Sequence, residues 1–182
     1  MKKLHLLFGL IAVLGLSACS STVTQGELKK GTQTYSTYQL NDQSQVSSNT
    51  NIRNAKKAER FFGRLQDRFS TALTKELNRY GYTEGVNGVE INYNIEEYVH
   101  GVRFARWWFG LTNMMFRSAG VGVGRTVVEV NVKDKKSSLG ELETKSEIYA
   151  GFFGGNSFNT IDDAAKDIAK KIHEAGILKS SK

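Results

Sequence analysis

Val89-Glu90-Ile91-Asn92-Tyr93-Asn94-Ile95-Glu96 alternates apolar with polar side chains without a break. A two-residue period puts Val89, Ile91, Tyr93 and Ile95 on one face of a strand and their polar neighbours on the other, which is wet. The apolar face needs a cover, and the preceding segment supplies one. Ile52, Ala55, Phe62, Leu65, Phe69, Leu73, Leu77 and Tyr80 recur at three-and-four spacing, with Ala58 and Ala72 on the same stripe. That is the pattern of a long amphipathic helix, with Asn51 placed as its N-cap and Gly81 where a C-cap belongs.

Working outward, Thr126, Val128, Val130 and Val132 alternate with Glu129, Asn131 and Lys133 and predict a second half-wet strand. A polar turn from Asp134 to Gly140 leads to a weaker strand over Leu142 to Ala150, expected to pair antiparallel to it. Thr160 is expected to cap a last helix, lined on one side by Ile161, Ala164, Ala165, Ile168 and Ile172 and ended by Gly176. Thr32 to Leu40 has strand composition, and Asn41 to Asn51 reads as a polar loop. The order is βαβββα. Two amphipathic helices over one antiparallel sheet of about four strands, an α+β two-layer sandwich, is the simplest way to bury every apolar face.

The N-terminus carries a different signal. Lys2 and Lys3 precede an apolar run from Leu4 to Leu16, and Leu16-Ser17-Ala18-Cys19 closes it with small residues before the only cysteine. The run is too short to span roughly 30 Å of hydrocarbon, which needs about 20 apolar residues as a helix. The Leu-Ser-Ala-Cys stretch resembles the lipobox of bacterial lipoproteins, which implies cleavage between Ala18 and Cys19 and acylation of Cys19. The expected organisation is a signal peptide over 1–18, a lipidated N-terminus and polar tether over 19–31, and a single globular domain over 32–178. A buried acyl chain contributes about 0.8 kcal/mol per methylene, so two or three chains make attachment effectively permanent. Ser20 follows the cysteine where an aspartate retains many Gram-negative lipoproteins at the inner membrane. The resemblance therefore favours the periplasmic face of the outer membrane.

Without Lys2 and Lys3 the 25 basic residues become 23 against 18 acidic ones, a net charge of +5. A basic protein outside the cytoplasm meets lipid phosphates before nucleic acid, so nucleic acid is not expected as a partner. Arg53, Lys57, Arg60, Arg64 and Arg68 form a column along the long helix, read as a solvated face with weak help from Asp67. If the column faced a bilayer, anionic headgroups would add about 1 kcal/mol per basic residue.

Between Glu97 and Glu129 there is no acidic residue, yet Arg103, Arg106, Arg117 and Arg125 lie there with Phe104, Trp107, Trp108, Phe109, Met114, Met115 and Phe116. As a helix the uncharged run from Trp107 to Phe116 would rise about 15 Å, half a hydrocarbon core. Two readings stand. The aromatics pack into the core, as large apolar residues do by default. Alternatively they form an exposed patch, flanked by arginines, that contacts the membrane or a partner.

The run Gly120-Val121-Gly122-Val123-Gly124-Arg125, the valine-rich strand, Asp134, Gly140, Gly151-Phe152-Phe153-Gly154-Gly155 and Asp163-Ala164-Ala165-Lys166-Asp167-Ile168-Ala169 together resemble the bacterial lipoprotein family catalogued as domain of unknown function 4410. The resemblance covers about Ile52 to Ala175. It implies an envelope lipoprotein and transfers no catalytic residue.

Reaction chemistry finds little purchase. His5 leaves with the leader, His173 suits a helix end, and His100 stands alone at a strand end. No cluster has metal-ligand spacing, no cofactor is implied, and no serine sits in a nucleophile elbow. Glu96 and Glu97 are adjacent, so on a regular strand they point to opposite faces. The expectation is a non-enzymatic envelope lipoprotein that contacts a membrane surface or an envelope partner through residues 104–116. The alternative is a small anchored periplasmic ligand-binding protein or hydrolase, marked by a pocket that gathers His100 and a carboxylate.

Overall fold

The alternating stretch forms the strand its pattern predicts, Val89–Val99, in a computed structural model that describes residues 20–30, 35–45, 55–99, 124–135, 137–148 and 158–179. In chain order the elements are β1 (Ser20–Leu28), β2 (Thr37–Asp42), α1 (Ala55–Arg79), β3 (Thr83–Glu84), β4 (Val89–Val99), β5 (Gly124–Lys133), β6 (Ser138–Ile148) and α2 (Asn159–Glu174). The strands lie in the order β1-β6-β5-β4-β2-β3. The architecture is α+β, but the expected antiparallel sheet of about four strands is corrected to a mixed sheet of six.

Three physical reasons account for the difference. The 25 residues of α1 carry the chain back along the sheet between β2 and β4, so those strands pair parallel, as a crossover connection requires. Asn41 and Asp42, expected in a loop, complete β2 because the parallel ladder pairs them with Asn92 and Tyr93. The segment read as a tether is strand β1. Ser-Ser-Thr-Val-Thr-Gln-Gly-Glu-Leu lacks apolar alternation because an edge strand under a close-packed helix can be held by backbone pairing and hydroxyl rungs. Thr22 Oγ1 lies 3.0 Å from Ser146 Oγ, and Thr24 Oγ1 lies 2.8 Å from Thr144 Oγ1.

One sheet face is covered by both helices. Val89, Ile91, Tyr93 and Ile95 of β4, with Val128, Val130 and Val132 of β5, meet Leu65, Phe69, Leu73 and Leu77 of α1 and Ile161, Ile168 and Ile172 of α2 in one buried cluster. The Phe69 and Tyr93 rings lie 4.8 Å apart in a tilted pair. Fully burying a side chain of this size contributes about 1.5–3 kcal/mol, so the α1 stripe and the β4 alternation hold each other in register.

The helix ends divide between expectation and correction. Gly81 stops α1 with φ +84° and Gly176 stops α2 with φ +64°, a left-handed conformation that glycine adopts without steric cost. Thr160 is not the cap of α2. Phe158 holds that position with no side-chain cap bond, and Thr160 lies buried inside the first turn, 2.6 Å from the Thr126 hydroxyl. A buried hydroxyl pair satisfies two polar groups at once, which draws the threonine inward.

Gly140 in β6 has φ +137°, next to the register shift between Val132 and Lys133, and a Cβ there would collide with the Glu27 carbonyl oxygen of β1. Gly140→Ala should therefore cost about 1–3 kcal/mol by combining backbone strain with loss of β1 pairing. Urea denaturation checks this. An unchanged midpoint would mean that β1 does not depend on that approach.

Candidate functional site

The strand register brings several chain ends to one pole of the sheet. Ser20, the first residue of β1, pairs with Ile148 at the end of β6, which pairs with Gly124 at the start of β5. Val99, the end of β4, pairs with Arg125 on the next rung. The chain therefore leaves the sheet at Val99 and returns at Gly124 beside the point where β1 begins, and it leaves again at Ile148 before re-entering at α2.

An aromatic trio closes the helix side of this pole. Phe61 of α1 lies 5.6 Å from Tyr98 and 6.2 Å from Phe158, centroid to centroid, and Tyr98 lies 6.2 Å from Phe158. Arg64 stands 5.8 Å over the Phe61 ring and Arg68 stands 5.3 Å over Phe158, within cation–π range. Arg68 also donates through Nη2 to Asp162 Oδ2 at 2.6 Å and through Nε to Oδ1 at 3.0 Å. The expected local help from Asp67 is thus replaced by a bidentate bridge from α1 to α2. Lys57, Arg60 and Arg64 are exposed on the N-terminal half of α1, near the same pole.

Ser20 is tied directly into the fold. Burial raises the Asp163 carboxyl above its ordinary range, and a hydrogen bond from the Ser20 side chain acts in the opposite direction. Ser20 thus lies close to Asp163 at the start of α2 and already belongs to the sheet.

Cys19 and Ala18 lie outside the described residues, as do Arg103, Phe104, Arg106, Trp107, Trp108, Phe109, Met114, Met115, Phe116 and Arg117. His100 and Arg53 lie outside them too. The described neighbours Ser20, Val99 and Gly124 bring these segments' attachment points together. His173 is exposed at the end of α2, with Nδ1 2.5 Å from the Tyr82 hydroxyl and the Tyr80 ring stacked on it at 4.2 Å.

The uncovered sheet face carries a second constellation that the sequence reading did not assemble. A register shift after Ile95 places both Glu96 and Glu97 between the buried side chains Ile95 and Tyr98. Their expected opposition is corrected by this bulge, and both carboxylates take the uncovered side. Glu129 stands directly opposite Glu143, and Glu27 opposite Glu141. Like charges in directly opposed positions destabilise a sheet. Burial, then repulsion from Glu129, Glu143 and Glu97, raises the Glu96 carboxyl above its ordinary range. Partial relief comes from Asn131 Nδ2, which donates to Glu141 Oε1 at 2.5 Å, and from Arg125 Nε, 2.8 Å from Glu147 Oε1. Two-residue spacing of the acids was visible in the chain, but cross-strand opposition depends on register.

Two concavities flank these features. One, of about 860 Å3, lies between α1 and the β2 edge, bounded by Leu40, Asp42, Ser70, Thr74, Asn78 and Glu84. The other, of about 490 Å3, lies on the uncovered face among Gln25, Asn92, Asn94, Glu129 and Glu143. Neither is lined by a histidine. Among the described residues no group of three or more His, Cys, Asp or Glu could hold a metal, and no helix is long and apolar enough to cross a membrane.

No protein-family model and no curated protein matches the chain. Among solved structures it is similar to the PelC dodecamer from Paraburkholderia phytofirmans, at 6% identity and TM-score 0.47, over 85% of this chain and 97% of that one. A variant PelC dodecamer from the same organism matches at 10% identity and TM-score 0.42, over 90% of this chain and 100% of that one. Likeness at this level carries no argument about fold or function.

A carboxyl raised in the folded state binds its proton more tightly there. Its destabilising effect is complete above the folded value and disappears as pH falls to the unfolded one. Glu129→Gln should raise the melting temperature by about 1–3 °C at pH 7, from relief of roughly 0.2–1 kcal/mol, and the gain should fade below about pH 4. Calorimetry at both pH values tests this. An equal gain at both would remove carboxylate repulsion as the cause.

Proposed function

We propose that this chain is a non-enzymatic lipoprotein of the bacterial envelope, anchored through acylated Cys19 and acting as a docking module at the periplasmic face of the outer membrane. The observation that carries the reading is the position of Ser20. It already belongs to β1 and lies beside the start of α2, so acyl chains on the preceding residue would hold the domain against the bilayer with this pole leading.

The segment that contains Phe104 to Phe116 is attached to the same pole through Val99 and Gly124. Its two described attachment points therefore lie at the end of the sheet where the anchor joins. Trp and Arg suit a lipid boundary and a protein surface alike, because each pairs a large apolar body with a polar tip. The exposed Lys57, Arg60 and Arg64 add attraction to anionic headgroups, about 1 kcal/mol for each that comes near the surface. The resemblance to the lipoprotein family supports the same location.

The chain produced without acylation should float with liposomes that contain anionic phospholipid, and Trp107→Ala combined with Trp108→Ala should reduce the bound fraction by about tenfold, the equivalent of 1.4 kcal/mol. Equal and negligible flotation of both would eliminate direct lipid contact and leave protein docking. Intact mass from the native host tests the anchor, since an uncleaved leader or an unmodified sulfur would overturn the reading.

A further inference from the structure

β2, β4, β5 and β6 each place apolar side chains in the buried cluster, among them Tyr38, Ile91, Val130 and Leu142, whereas none of the nine residues of β1 is buried. The β1 positions opposite Ile148, Ser146, Thr144 and Leu142, all buried in β6, are Ser20, Thr22, Thr24 and Gly26. A strand sealed into the core would carry valine or isoleucine at such places. Thr22 and Thr24 meet hydroxyls of β6 there instead, and Thr24 Oγ1 also donates to Asp167 Oδ2 of α2 at 2.5 Å. Of the two large apolar residues of β1, Leu28 packs half-buried against the margin of the cluster and Val23 is 54% exposed.

A polar seam of this kind separates more readily than an apolar one. Water replaces the partner of each hydroxyl and each ladder amide, so the net loss per bond is small, and little apolar area returns to solvent. Glu27 faces Glu141 across the seam, and the repulsion of that like-charged pair ends on opening. The fold that remains is self-contained. β6 stays paired with β5 from Ser138 to Ile148, and α2 stays bridged to α1 through Asp162 and Arg68.

We propose that β1 is a strap, whose nine residues leave β6 as one unit while the other strands and both helices stay folded. Its consequence for position rests on the anchor at Cys19 proposed above. An opened β1 is about 30 Å of extended chain between that anchor and the domain, so the strap gives the domain two reaches from the bilayer, one close and one extended.

Hydrogen exchange of the full chain in detergent, followed amide by amide, tests the strap and needs no acyl group. Successive amides of β6 point alternately to β1 and to β5. Opening as a unit gives the β1-facing amides of β6 and the β6-facing amides of β1 one shared rate, about a hundredfold above that of the amides between β4 and β5, while the β5-facing amides of β6 keep the slow rate. Gly26→Val adds a second test. Gly26 has φ +99°, and a Cβ there would collide with the Glu141 carbonyl oxygen, so the variant shifts β1 toward the opened form. The amides between β1 and β6 should then exchange about tenfold faster than in the parent, with those between β4 and β5 still protected.

The strap is overturned if the β1 amides exchange no faster than those of β4 and β5, which would mean that β1 opens only with the whole domain. Rates that climb steadily from Leu28 toward Ser20 would signify end fraying and overturn it equally, as would loss of β4 and β5 protection in Gly26→Val. An unmodified Cys19 in the native host would remove the anchor and the two reaches but leave these exchange patterns as they are, so the two failures are read separately.

Discussion

Burial of one face of β4 against the apolar stripe of α1 is the interaction on which the rest of the molecule depends. Leu65, Phe69, Leu73 and Leu77 are wholly buried, as are Val89 and Ile91. A slip of one residue in β4 would send the buried set to water, so this contact fixes the register of the central strand. From there the ladder fixes β5, β5 fixes β6, and β6 fixes β1. The placement of Ser20 at the same pole as Val99 and Gly124 is inherited, rung by rung, from packing at the centre.

The two sides of the sheet answer to different forces. Beneath the helices, apolar packing dominates in the middle, while hydroxyl pairs take over where alanine-rich α2 approaches β1 and β5. On the other side no helix among the described residues enforces apolar character, and carboxylates accumulate to the point of opposing one another across strands. Their repulsion lowers stability at neutral pH, and the bulge at Glu96 turns two further carboxylates outward. The chain is basic as a whole, so this acidic surface comes from the local distribution of charge and not from its balance.

Much of the architecture was legible because burial writes itself into periodicity. The α1 stripe, the alternations of β4 and β5, and the glycine stops at Gly81 and Gly176 are each required by packing or by backbone conformation. β1 left little trace, since Ser20 to Leu28 is held by backbone pairing and hydroxyls, neither of which needs an apolar repeat. The two-residue β3 is too short to show a period. Thr160 carried the usual mark of a cap, but its hydroxyl found a buried partner on β5.

The candidate site divides along the same line. The basic-then-apolar N-terminal run, the small residues before Cys19 and the acid-free aromatic run are properties of consecutive residues, so they are complete in the primary chain. Their common attachment to one pole, the bridge from Arg68 to Asp162 and the opposition of Glu129 and Glu143 join residues far apart along the chain, so they exist only once the strands are in register. A backbone group is paired or unpaired according to which strand lies beside it, and side-chain order does not encode that neighbour.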